Sequence, residues 1–193
     1  MDAHKPLFIP VILGTARKGR MSQAAARLLC EEVGKRPNVE TELIDIATLP
    51  LPIDDAGEAI KASIFAEKMD LADGLVIVSP EYNHGYPGLL KHVLDSCLKE
   101  YIHKAVGLVG VSAGPFGGAR VIQNLLPVMR ELGLVTIFWD VNFSSVQNVF
   151  DTEGRLLDKA YLRRIEKFLN ELIWMTTTLR YGRQSVSNES RAC

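Results

Sequence analysis

Two short runs of this chain, Gly74-Leu75-Val76-Ile77-Val78 and Ala105-Val106-Gly107-Leu108-Val109-Gly110-Val111, contain no charged residue and no polar side chain. A strand with one wet face alternates apolar and polar residues. A run that is apolar throughout has both faces covered. Each run is short and bounded by turn residues, so each reads as a central strand and not as a buried helix. Fully covered strands belong to parallel sheets, whose neighbours are joined by helical crossovers.

The rest of the chain alternates accordingly. Phe8-Ile9-Pro10-Val11-Ile12-Leu13 reads as the first strand, although Pro10 cannot donate to a ladder. Ser22 to Lys35 carries Ala25, Leu28, Leu29 and Val33 at helical spacing and ends at Gly34 and Pro37. Val39 to Asp45 alternates as a second strand, and Thr48 to Pro52 is a Pro-rich loop. A helix is expected from about Ala56 to Ala72, with Ile60, Ile64, Ala66 and Met69 inward. Gly74 to Ser79 is the third strand, followed by a helix from Pro87 to about Tyr101. Ala105 to Val111 is the fourth, and its glycines suggest the close approach of a helix or a ligand. Gly117 to Leu132 reads as a helix kinked at Pro127 and closed by Gly133, before a fifth strand at Leu134 to Trp139. Asn142 to Gly154 reads as a loop and Asp158 to about Leu179 as the last helix. The pattern is α/β: a three-layer sandwich around a five-stranded parallel sheet, with order 2-1-3-4-5 fitting the length. One domain is expected over residues 1–183, with a polar, disordered tail at 184–193.

Composition narrows the function. Of 193 residues, 47% are hydrophobic and 23% charged, which suits one domain with a substantial core. The net charge of −1, with basic residues dispersed, gives no footprint for nucleic acid. Cys30, Cys97 and Cys193 are too few and too scattered for a disulfide framework or a zinc site, and His4, His84, His92 and His103 lack metal-ligand spacing. Cys30 and Cys97 read as core residues. No signal-like segment opens the chain and no apolar run reaches membrane-spanning length, so a cytoplasmic enzyme or carrier is expected.

Ligands of an open α/β sheet bind where strands end in loops at its carboxyl edge. The first such loop, Gly14-Thr15-Ala16-Arg17-Lys18-Gly19-Arg20-Met21-Ser22, joins a strand to a helix N-terminus. Unpaired amides and the helix dipole favour an anion there, and Thr15, Ser22 and the Arg17 guanidinium add donors suited to phosphate. It is neither a Walker A loop nor a dinucleotide fingerprint. The second loop, Ser79-Pro80-Glu81-Tyr82-Asn83-His84-Gly85-Tyr86-Pro87-Gly88, offers bare amides and an aromatic side chain to a flat, polar-edged ring. The third, Ser112-Ala113-Gly114-Pro115-Phe116-Gly117-Gly118, offers more of the same. A phosphate loop beside two ring loops suggests flavin mononucleotide (FMN).

These three segments resemble the NADPH-dependent FMN reductase family, which includes quinone, azo-dye and chromate reductases. The likeness covers roughly residues 7–175 and rests on Gly14-Thr15-Ala16-Arg17; on Pro80-Glu81-Tyr82-Asn83 with Pro87-Gly88, Leu90-Lys91 and Asp95; and on Ser112, Gly114, Gly117-Gly118 and Arg120. The resemblance implies a flavodoxin-like fold, bound FMN, NADPH or NADH as cosubstrate, a small acceptor and a homodimer or homotetramer. It implies cofactor contacts from Gly14, Thr15, Arg17, Arg20, Met21 and Ser22; from Pro80, Glu81, Tyr82, Asn83, His84 and Gly85; and from Ser112, Ala113, Gly114 and Gly117. Here Thr15 stands for the family's commoner serine, and Arg20 intervenes before Ser22. No side chain is assigned as catalytic, because the flavin itself carries hydride chemistry. Glu81 reads as a positioning residue or an ion-pair partner of Arg17 or Arg120. An electron carrier or flavin-binding regulator without turnover of its own shares the fold and is the alternative.

Overall fold

A computed structural model describes residues 5–51 and 63–186. β1 (Leu7–Phe8) and β2 (Val11–Leu13) are one strand position; β3 (Val39–Glu40) and β4 (Leu43–Asp45) are the second. β5 (Gly74–Pro80) and β6 (Ala105–Val111) are the third and fourth, and β7 (Val135–Thr136) and β8 (Val141–Phe143) share the fifth. All pair in parallel. The main sheet runs β4-β2-β5-β6-β7, β8 joins β6 farther along, and β1 pairs with β3. By strand position this is the expected order 2-1-3-4-5.

Three of the five expected strands are split. The first divides around Pro10. The Ile9 and Val11 amides donate to Glu40 and Glu42 at 2.9 Å, and the Pro10 carbonyl accepts from Val76 at 3.0 Å. Only the donor that proline lacks interrupts the ladder. The fifth divides because Phe138 to Asp140 leave the sheet after pairing with the start of β6, and the chain returns at Val141 to pair with its end. Asn142 therefore lies in a strand and not in the expected loop. The buried flanks of Val141 and Phe143 are the alternation that marks it.

Among the described residues five α-helices cover the sheet: α1 (Ser22–Gly34), α2 (Ser63–Leu71), α3 (Gly88–Asp95), α4 (Ala119–Glu131) and α5 (Ala160–Ser185). Val76 and Val78 of β5 face a cluster with Leu29 and Val33 of α1 and Phe168 and Leu172 of α5. Leu75 and Ile77 face the other, with Met69 of α2, Val93 of α3 and Met129 of α4. These opposed faces are why the strands are apolar at every position. Phe65 and Met69 of α2 turn inward while Ile64 is exposed, contrary to expectation; Ile60 lies outside the described residues. α3 ends at Asp95, earlier than expected, because the Ser96 hydroxyl donates back to Val93 at 2.7 Å and competes with the helical ladder. Lys99–Tyr101 forms a separate 3₁₀ turn.

α5 runs past Leu179 to Ser185, so Gln184 and Ser185 are helical and only residues 187–193 of the expected tail lie outside the description. Two arginines hold this extension. Arg180 and Arg183 donate to the two carboxylate oxygens of Asp73 at 3.2 and 3.1 Å. Arg180 also reaches the Lys5 carbonyl at 2.7 Å and Arg183 that of His103 at 2.6 Å.

Candidate functional site

The three loops leave the carboxyl ends of β2, β5 and β6, neighbours in the sheet. Gly14 opens the first. Its amide donates to Val78 at 2.8 Å, and a Cβ there would meet Leu90 at 2.9 Å, so its smallness serves packing. Thr15 is buried and accepts the Arg17 amide at 3.3 Å. Residues 16–19 are exposed. Arg20 forms an ion pair with Asp45 at the end of β4. Exposed Met21 precedes α1 without a side-chain cap, and Ser22 is 2% exposed in the first turn. Both Ser22 Oγ and Arg20 Nε are buried without a hydrogen-bond partner.

The second loop begins with Pro80 as the last residue of β5. The Glu81 amide donates to Val111 at 3.0 Å, tying this loop to the end of β6. Tyr82 and Gly85 exchange both backbone hydrogen bonds at 2.9 Å around Asn83 (φ 49°) and His84 (φ 67°). Two non-glycine residues in the left-handed region store strain, which the surrounding contacts must hold. One such contact is from the Asn124 side chain to the His84 carbonyl, at 2.5 Å. The Tyr82 hydroxyl lies 3.0 Å from Thr15 Oγ1, and the Arg17 guanidinium sits 5.6 Å above the Tyr82 ring. Arg120 donates to Glu81 Oε1 at 3.3 Å, the partnership expected from sequence, while Glu81 Oε2 is buried with no partner.

In the third loop the Ser112 amide donates to Phe143 at 3.1 Å and its hydroxyl to Gly114 at 2.9 Å. Ser145 donates to the Gly114 carbonyl at 2.9 Å and Gln147 to that of Ala113 at 3.2 Å. Gly117 (φ 60°) is wedged against Asn142, where a Cβ would come within 2.8 Å, so it too is a packing glycine. A Cβ on Gly114 would meet nothing within 4 Å, which leaves that backbone open to an incoming group. Arg120 also stands 4.6 Å over the ring of exposed Phe116.

The expected residues thus gather at one sheet edge, linked from the first loop to the second through Thr15 and Tyr82, and from the second to the third through Glu81. Sequence reasoning missed Asp45, Asn142, Ser145 and Gln147, which brace the loops. Their only signal is position: Asp45 closes an edge strand, Asn142 lies in the short strand β8, and Ser145 and Gln147 follow it. A cavity of about 370 Å³ lies elsewhere, lined by Lys5, Asn38, Thr177, Arg180 and Tyr181 among others, and no expected site residue lines it.

Among the described residues, five buried side-chain polar atoms lack a partner, and three of them are at this site. Two are donors in the first loop and one is an acceptor in the second. Phosphate only accepts; the isoalloxazine edge carries an N–H that donates. The vacant valences therefore match FMN in kind at both ends. Among the described residues no group of three or more His, Cys, Asp or Glu is placed to hold a metal, and no helix is long and apolar enough to cross a membrane.

The sequence profile of the NADPH-dependent FMN reductases matches residues 8–147. An NAD(P)H-dependent FMN reductase of Pseudomonas aeruginosa is 33% identical over 85% of this chain and 92% of its own length. An FMN-dependent NADPH-azoreductase of Staphylococcus aureus is 31% identical over 83% and 94%. Among solved structures, the flavoenzyme NAD(P)H:(acceptor) oxidoreductase FerB of Paracoccus denitrificans superposes with a TM-score of 0.75 at 20% identity, covering 89% of this chain and 98% of that one. An archaeal flavodoxin superposes with 0.57 at 11% identity over 90% and 99%, which speaks to the fold alone.

Proposed function

Because the chain belongs to the NADPH-dependent FMN reductase family and is an FMN-dependent NAD(P)H oxidoreductase, we propose that its three loops hold FMN by phosphate and ring and pass its electrons to a small acceptor. The fold is flavodoxin-like, but the family is one of enzymes, so the carrier alternative falls away. The observation that carries the assignment is the pair of unpartnered buried donors, Ser22 Oγ and Arg20 Nε, at the start of α1.

In this reading Ser22, Arg20, the Arg17 guanidinium and the backbone amides of exposed Ala16, Lys18 and Gly19 receive the phosphate, with the N-terminal end of α1 adding its partial charge. Asp45 holds Arg20 in place and keeps the loop from carrying excess positive charge. Glu81, Gly85 and Gly114 border the ring, and the Glu81–Arg120 pair fixes the second and third loops relative to one another. Bound FMN supplies the hydride chemistry. The protein's part is orientation, exclusion of water from one face and placement of donors where charge accumulates.

In this reading a quinone, an azo compound, chromate or a free flavin takes the place that the nicotinamide vacates. Sharing one place by two substrates gives ping-pong kinetics. A single domain, a cytoplasmic site of action and a homodimer or homotetramer complete the proposal. Association is supported by the exposed aromatic rings of Phe116, Phe138, Trp139 and Trp174. The test is anaerobic titration of the purified yellow protein with NADPH or NADH, followed by addition of a quinone or an azo dye. Bleaching and then stoichiometric recovery of the flavin spectrum is expected. A flavin that bleaches but is not reoxidised by any of these acceptors overturns the acceptor class.

A further inference from the structure

Tyr82 belongs by sequence to the ring loop, where an aromatic side chain is expected to flank a flat ligand. In the structure its side chain reaches the first loop. Its hydroxyl meets Thr15 Oγ1 at 3.0 Å, and its ring lies under the Arg17 guanidinium at 5.6 Å. Thr15 is 2% exposed and already accepts the Arg17 amide at 3.3 Å, so its hydroxyl is shared between the Arg17 backbone and Tyr82. Tyr82 is itself fixed from behind by its reciprocal 2.9 Å hydrogen bonds with Gly85 across the strained Asn83-His84 turn.

We propose that Tyr82 is a positioning residue for the phosphate half of the site: a latch that holds Thr15 and Arg17 of the first loop in their anion-binding arrangement. The inference deepens the assignment of FMN to these loops and rests on it. A loop whose backbone and guanidinium are ordered before the ligand arrives loses less entropy on binding. A guanidinium held over an aromatic face by a cation–π contact spends none of its N–H donors on that contact, so they stay available to phosphate oxygens. The Tyr82 hydroxyl meets Thr15 of the first loop, so its removal distinguishes FMN from riboflavin, the same ring and ribityl chain without phosphate.

The experiment compares apoprotein binding of FMN and of riboflavin, by quenching of flavin fluorescence, in wild type, Tyr82→Phe, Thr15→Val and the double variant. Tyr82→Phe keeps the ring under Arg17 and removes only the hydroxyl. Loss of one part-buried hydrogen bond of ordinary strength corresponds to roughly a three- to tenfold rise in the dissociation constant for FMN. Riboflavin affinity is expected to stay within about twofold. Because Thr15→Val removes the Tyr82 contact along with that to the Arg17 amide, the double variant is expected to bind FMN no worse than Thr15→Val alone. Equal weakening toward both flavins, or a displaced flavin absorption band in Tyr82→Phe, places Tyr82 at the ring and overturns the latch. Unchanged FMN affinity also overturns it. A wild-type apoprotein that binds neither flavin overturns the site assignment along with it.

Discussion

Ser22→Ala separates what a site residue does for its ligand from what it does for the fold. The hydroxyl is buried in the first turn of α1 and has no partner in the protein. A buried polar group left unpaired costs about 1–3 kcal/mol, and serine is a poorer helix former than alanine by about 0.5 kcal/mol. Removing the hydroxyl therefore stabilises the apoprotein by about 1–3 kcal/mol. For a chain of this size that is a rise of roughly 3–10 °C in Tm. Toward FMN the sign reverses. A hydroxyl donating to a charged phosphate oxygen is worth about 1.5–3 kcal/mol, so the variant binds FMN roughly 10- to 150-fold more weakly. Thermal unfolding of flavin-stripped protein and fluorescence titration with FMN measure the two effects separately. With saturating FMN the two melting curves move toward each other or cross, since ligand stabilises the wild type more. An apo variant less stable than wild type, or one that binds FMN unchanged, refutes the assignment of Ser22 as a phosphate donor.

Three further perturbations test other links. Gly107→Ala places a Cβ 2.3 Å from Phe168 of α5; overpacking of about 1–3 kcal/mol is expected in denaturant unfolding, partly relieved by adding Phe168→Leu, and an unchanged midpoint refutes the close seating of α5. Gly114→Ala meets nothing within 4 Å in the protein itself; apo stability is expected to hold within about 0.5 kcal/mol while FMN affinity falls, and unchanged affinity moves the ring away from the third loop. Burial lowers the Lys104 ammonium from 10.5 to about 8, although it donates to the Met69 and Asp70 carbonyls at 2.5 and 2.9 Å. The folded protein thus gives up this proton before the unfolded chain does. Stability rises as pH climbs from about 8 to 10.5, by at most about 3 kcal/mol relative to Lys104→Met. A flat difference between the two proteins over that window refutes the reading.

The sheet was legible because two-sided burial leaves an unbroken apolar run, and residues 74–78 and Ala105–Val111 are unbroken. Where a second requirement acted on the same residues, the pattern failed. Pro10 serves a position whose carbonyl, not its amide, joins the ladder. Phe138 and Trp139 have strand-like chemistry yet stand out in solvent, because nothing in a local pattern states that β6 will be paired by two short pieces and not one. The end of α5 was missed for another reason. Arg180 and Arg183 lie beyond the apolar pattern that marks the helix, and what holds them in it is Asp73, far away in sequence.

At the site, residue types were legible and partnerships were not. Three loops rich in Gly, Pro, Ser and Arg at one sheet edge announce an anion and a ring by chemistry alone. Which donor is spent inside the protein and which is kept for a ligand depends on contacts across the sheet. Arg20, which looks like a free phosphate clamp, gives one nitrogen to Asp45 and withholds another. Tyr82, which looks like a ring neighbour, spends its hydroxyl on Thr15. A folded chain satisfies nearly all its buried polar atoms. Among the described residues this chain leaves five open, and three of them, at Arg20, Ser22 and Glu81, lie in the two loops that follow β2 and β5. Protein stability alone gives no reason for that clustering, since each vacancy is unfavourable to the apoprotein. Binding does, because a ligand that fills all three returns what each had cost.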